Sequence, residues 1–139
     1  MPSITLSILA LATALGSPAS IASTQQPMPQ AQTVKEYVES YYADEPVLAD
    51  IAACESHMRQ FDKDGNVLKN PNSSAVGIMQ IMSSIHSAKA DKLGIDITTI
   101  QGNLAYARYL YEEQGTTPWN ASKSCWGQSK TSKDLAINK

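Results

Sequence analysis

Residues 44–58 read DEPVLADIAACESHM, and how this stretch folds governs the reading of the whole chain. Asp44 is a helix cap, Glu45 suits a first turn, and Pro46 is tolerated there because first-turn amides have no intrahelical partner to lose. Val47, Leu48, Ile51, Cys54 and Met58 then recur at helical spacing and make one apolar face. Glu55 follows Ile51 by four residues and Leu48 by seven, which puts it on the edge of that face. An ordinary core helix turns its glutamates to solvent. A carboxylate on the apolar edge is desolvated, lies in a cleft, or both, and Glu55 is therefore the first candidate for chemistry.

The flanking segments read as further helices. Thr33 precedes VKEYVESYY with Glu36 three residues on, a capping-box pattern. Val34, Tyr37, Val38 and Tyr41 follow helical spacing, giving a first helix that ends near Asp44. After the Glu55 helix, residues 60–69 (QFDKDGNVLK) read as a β-hairpin turning at Asp64-Gly65. A loop (NPNSS) leads to AVGIMQIM at 75–82, an apolar run broken by Gly77. Ser83 and Ser84 are caps for a third helix running to about Leu93 and stopped by Gly94. Residues 95–102 are a connector, and 103–114 (NLAYARYLYEEQ) form a fourth helix closed by Gly115. The predicted fold class is mainly α, with one small β-hairpin after the helix that carries Glu55.

Length and composition bound the rest. The chain of 139 residues suffices for one domain with a modest core. A formal net charge of −2, with no Lys/Arg cluster interleaved with aromatics, speaks against nucleic acid or an anionic membrane as partner. Residues 1–22 read as a signal peptide: an apolar run from Ile4 to Leu15, then small residues ending in Ser20-Ile21-Ala22. Ser17-Pro18-Ala19 is a second cleavage candidate, and the leader carries no Lys or Arg, so an apolar N-terminus on a cytosolic protein is the alternative. The run falls short of the roughly 20 residues a membrane span needs, so no stable insertion follows cleavage. Residues 23–33 are a flexible linker, 34–127 the folded domain, and 128–139 a polar tail. Cys54 and Cys125, near the two ends of the domain, suit a disulfide in an exported protein, with two buried thiols as the alternative.

Several chemistries lack their signatures. Two Cys and two scattered His give no metal-ligand spacing. Asp62, Asp64 and Asn66 resemble the start of a calcium loop, but Gly65 and Ser73 stand where an EF-hand needs other residues. No Gly-rich phosphate loop, H-E-x-x-H or GxSxG is present. Neither metal nor cofactor is expected.

Three ordered segments carry a resemblance. They are Cys54-Glu55-Ser56, then Ser73-Ser74-Ala75-Val76-Gly77-Ile78-Met79-Gln80-Ile81, then Asn103-Leu104 leading to Tyr109-Leu110. Together, over roughly residues 51–126, they resemble the lysozyme-like domain of the soluble lytic transglycosylases, related in fold to goose-type lysozyme. The chain departs from that pattern after the third segment. Larger members carry A-Y-N-A-G there, with a Tyr that touches the catalytic Glu. This chain has Pro118-Trp119-Asn120-Ala121-Ser122 and Cys125-Trp126, leaving Tyr106, Tyr109 and Tyr111 as candidates for the contact.

The resemblance implies an enzyme that acts on peptidoglycan glycan strands; the signal peptide implies a secreted or periplasmic protein, and a monomer is the default. Cleaving the β-1,4 bond between N-acetylmuramic acid and N-acetylglucosamine needs a proton on the leaving oxygen. A free Glu titrates near about 4.3, so burial must raise Glu55 for it to serve. By the resemblance Glu55 acts first as acid and then as base, closing a 1,6-anhydromuramic ring without a second enzymic carboxylate. The rivals are a hydrolase on the same scaffold, drawing on Asp62 or Asp64, and an inactive glycan-binding module. The implied substrate-binding residues are Ser74, Gly77, Met79, Gln80, Asn103, Tyr106, Tyr109 and Trp119. Five of these have a plainer reading. Ser74 bonds its own loop, Gly77 only turns, Met79 packs in the core, Asn103 caps a helix, and Trp119 is buried beside Cys125.

Overall fold

The structure, a computed structural model, describes residues 32–129. The expected signal peptide (1–22), nearly all of the linker and most of the polar tail lie outside the described residues.

Helix α1, Val34–Tyr41, starts with the capping box read from sequence: Thr33 Oγ1 accepts from the Glu36 amide at 3.2 Å, and the Thr33 amide donates to the Glu36 carboxylate at 2.8 Å. Val38 and Tyr42 point into the core, and the helix stops at Tyr41 rather than near Asp44. Helix α2, Pro46–Ser56, buries Val47, Leu48, Ile51 and Ala52 on the predicted face. Its N-cap is Glu45, not Asp44, and makes no side-chain cap. The Glu45 carboxylate instead meets Arg108 at 3.1 Å, a charge-assisted contact.

The predicted hairpin at 60–69 is present in short form: Phe61 bridges Val67, the Asp62 amide donates to the Asn66 carbonyl at 2.8 Å, and the Leu68 amide donates to the Gln60 carbonyl at 2.9 Å. Within its turn the Asp62 carboxylate takes the amides of Asp64 and Asn66 at 2.9 and 3.0 Å. Lys69 bridges on to Val76. The sheet proper lies in AVGIMQIM. Strands β1 (Ala75–Val76) and β2 (Ile81–Met82) pair antiparallel with Ala75 opposite Met82 and Val76 opposite Ile81.

Helix α3, Ser83–Lys92, is not capped by its serines. The Ser83 hydroxyl donates to the Ser74 carbonyl at 2.7 Å, and the Ser84 and Ser74 hydroxyls lie 2.6 Å apart, so both tie the helix to the loop before β1. Helix α4, Ile100–Gln114, begins earlier than expected because Thr99 is the N-cap, accepting from the Gly102 amide at 3.0 Å. Asn103 therefore sits within the helix, which removes its reading as a bare cap. The Tyr42 hydroxyl ties α1 to α4 by donating to the Leu104 carbonyl at 2.8 Å. A 3-10 helix, Thr117–Ser122, and a short helix α5, Lys123–Trp126, close the domain. Cys54 and Cys125 are joined in a disulfide, which anchors α5 to the end of α2 and disposes of the free-thiol alternative. Among the described residues no helix is long and apolar enough to cross a membrane.

Candidate active site

Glu55 occupies the last turn of α2, where the helix ends abruptly. His57 and Met58 both adopt left-handed backbone, φ 54° and 61°. Residues other than glycine visit that region at a cost and only where their surroundings hold them. Ser56 supplies part of the hold. Its buried hydroxyl donates to the Ala52 carbonyl at 3.1 Å and accepts from the Arg59 amide at 3.1 Å. The chain thus turns away directly after Glu55 and leaves its carboxyl half-buried at the helix end.

Burial pushes the Glu55 carboxyl above the ordinary carboxylate range, and a hydrogen bond from Ser122 pulls it part of the way back. The Ser122 hydroxyl donates to Glu55 Oε1 at 2.5 Å. None of Tyr106, Tyr109 and Tyr111 hydrogen-bonds Glu55, so the expected tyrosine contact is replaced by a serine. Tyr106 is 1% exposed on α4, its hydroxyl 3.1 Å from His86 Nδ1 and its ring centroid 5.5 Å from that of Tyr109. Lys89 lies over the Tyr109 ring at 5.7 Å. Tyr111 packs against the core.

The turn between β1 and β2 is pinned from three sides. The Ile78 amide donates to Gln60 Oε1 at 2.8 Å, the Met79 amide donates to Asn103 Oδ1 at 2.8 Å, and the Trp119 indole N–H donates to the Met79 carbonyl at 2.9 Å. Asn103 also donates to the carbonyls of Val76 and Ile97, at 3.1 and 2.8 Å. Gln60, itself buried, reaches across to the Thr98 carbonyl at 2.9 Å. Gly77 sits under this network with φ 74°, and a Cβ there would lie 2.3 Å from Asn103 Nδ2 and 2.8 Å from Gln60 Oε1. The glycine makes room for these two amides.

The remaining candidates divide. Gln80 is part-exposed with φ 50°, its amide donating to the Gly77 carbonyl at 2.9 Å. It lines a groove with Met82, Ile85, His86 and Pro118. Met79 is fully buried, so its packing reading holds and only its backbone serves the turn. Trp119 is 3% exposed, which leaves almost none of the ring for stacking on a sugar. Ser74 bonds Ser84 and not Glu55. The 3-10 helix brings the two halves of the site together, because its Trp119 holds the turn and its Ser122 holds Glu55. Sequence assigns no role to Gln60 or Ser122, and gives Ser56 only as a member of the Cys54-Glu55-Ser56 segment. Their partners are fixed by the fold and not by a periodic pattern in the chain.

This network predicts a large cost for Asn103→Ala. Its amide serves three fully buried backbone groups, and leaving such groups unpaired costs roughly 1–3 kcal/mol each before relaxation. A loss of about 3 kcal/mol is expected in chemical denaturation. A midpoint equal to wild type would show that the turn does not depend on this side chain.

A helix-rich domain with a two-stranded sheet, and a half-buried carboxylic acid at the end of one helix, define the lysozyme-like class. Within it, the chain belongs to the transglycosylase SLT domain family, whose model matches residues 32–119, more than half of the chain. Family membership makes it a peptidoglycan-cleaving enzyme, and enzymes of this family act on peptidoglycan in the periplasm or outside the cell. The matched span ends at Trp119, so Ser122 and Cys125 lie beyond it. No curated protein and no solved structure matches the chain.

Proposed function

We propose that Glu55 is the sole acid/base of a lytic transglycosylase that leaves 1,6-anhydromuramic acid ends. The observation that carries this reading is the carboxyl at the end of α2, held by Ser122 and kept above the ordinary carboxylate range by burial. In the first step Glu55 gives its proton to the glycosidic oxygen, the bond to C1 of muramic acid breaks, and the substrate's 2-acetamido group stabilises the positive centre. In the second step the Glu55 carboxylate takes the proton from the 6-hydroxyl, whose oxygen bonds to C1. The enzyme returns to its starting state with no water consumed.

A hydrolase needs a second carboxylate to activate water. The two that the sequence offered are engaged elsewhere: Asp62 in holding its own turn, and Asp64 in a contact with Lys63 at 3.0 Å. That supports the single-carboxylate route. Gln80, at the rim of the groove, is the residue proposed to meet the glycan directly. Export through a signal peptide at 1–22 and a monomeric state complete the proposal.

The reading is tested by the pH dependence of soluble fragment release from purified peptidoglycan. Glu55 must start protonated. Its raised pKa keeps the acid form present above the usual carboxylate range, and the rate falls as pH rises through that value. A rate that climbs steadily to alkaline pH would remove Glu55 as the acid.

A further inference from the structure

A second residue acts on the reaction through Glu55. The Ser122 hydroxyl has one proton and two acceptors in reach, Glu55 Oε1 at 2.5 Å and the Trp119 carbonyl at 3.1 Å. The Trp119 carbonyl already receives the Trp126 indole N–H at 3.0 Å. The contact to the carboxyl is the shorter of the two and strengthens with charge on its acceptor, so the Ser122 proton lies with Glu55. The placement is also braced. Cys54 precedes Glu55, Cys125 follows Ser122 by three residues, and the disulfide joins them. The contact therefore lies beside a covalent link between α2 and α5.

We propose that Ser122 is the positioning residue of the reaction, donating to Glu55 Oε1 so that the transferable proton resides on Oε2. The proposal rests on Glu55 being the acid/base. A hydrogen bond received by Oε1 makes that oxygen the poorer proton site and leaves Oε2 to face the glycosidic oxygen. The bond strengthens as negative charge grows on the carboxyl, so it favours proton release in the first step. It also fixes the carboxylate's rotation for the second step, in which Oε2 recovers a proton from the 6-hydroxyl.

The test compares the wild-type, Ser122→Ala, Ser122→Thr and Glu55→Gln proteins, each full-length and oxidised, on purified peptidoglycan across pH. Ser122→Ala is expected to lower kcat by roughly ten- to a hundredfold through lost orientation while leaving KM near wild type. Its alkaline limb moves to higher pH, because the bond that lowers the Glu55 pKa is gone. Ser122→Thr, which keeps the hydroxyl, moves both back toward wild type. Carboxyl NMR titration of Glu55 in the free proteins gives the same shift without turnover. The proposal is overturned if Ser122→Ala retains the wild-type kcat, or if Glu55 titrates identically in the two proteins. Failure of the underlying reading shows elsewhere, as retained turnover in Glu55→Gln.

Discussion

Replacing Glu55 with Gln leaves a folded protein that still binds glycan but has lost turnover by roughly a thousandfold or more, the scale expected when the proton donor of a glycosidic cleavage is removed. Glutamine fills the same space and can accept the Ser122 hydrogen bond, so the loss is one of chemistry and not of shape. The same substitution is expected to raise the melting temperature. Burial raises the folded-state pKa of Glu55 above its unfolded value, so ionising it costs stability; that cost is full above the folded pKa, lessens as pH falls below it, and is gone below the unfolded pKa. A neutral amide removes the cost at every pH. Activity and stability therefore move in opposite directions, read by fragment release and by thermal unfolding. An equal loss of both would mean that Glu55 is structural.

Removing the disulfide with Cys54→Ser and Cys125→Ser together is expected to have the largest effect on stability. The bridge closes a loop with a sequence separation of 71, which corresponds to about 4 kcal/mol on the chain-entropy account. In a domain of this size that lowers the melting temperature by roughly 15–30 °C. The site suffers as well. α5 and the preceding 3-10 helix carry Ser122, and without the bridge its spacing to Glu55 is set only by packing. The residual activity of the reduced or substituted protein, measured well below its melting temperature, is expected to fall. Unchanged activity and melting temperature would show that packing alone holds the site.

What the sequence disclosed follows from the range over which each signal acts. The Thr33 capping box and the apolar face of α2 are local patterns; the capping box stands as read, and the face stands for Val47, Leu48 and Ile51, while Met58 falls beyond the helix end. Glu55 was visible because helical spacing converts a position in the chain into a position on a face. The hairpin at 60–69 is legible from its Asp64-Gly65 turn, whereas strands β1 and β2, at two residues each, are too short to show alternation. Gly77 drew notice as a break in an apolar run, yet its reason, two amides from Gln60 and Asn103, comes from distant parts of the chain. Ser122 was hidden for the same reason. It meets Glu55 across a separation of 67 residues, from a 3-10 helix with no periodic face.

The most direct test of the central claim is the mass of the glycan fragments that the oxidised wild-type protein releases from purified peptidoglycan. The account predicts fragments ending in 1,6-anhydromuramic acid, lighter by one water molecule than hydrolysed ones, and none from Glu55→Gln. Fragments carrying ordinary reducing ends would contradict it and require a water-activating carboxylate in addition to Glu55.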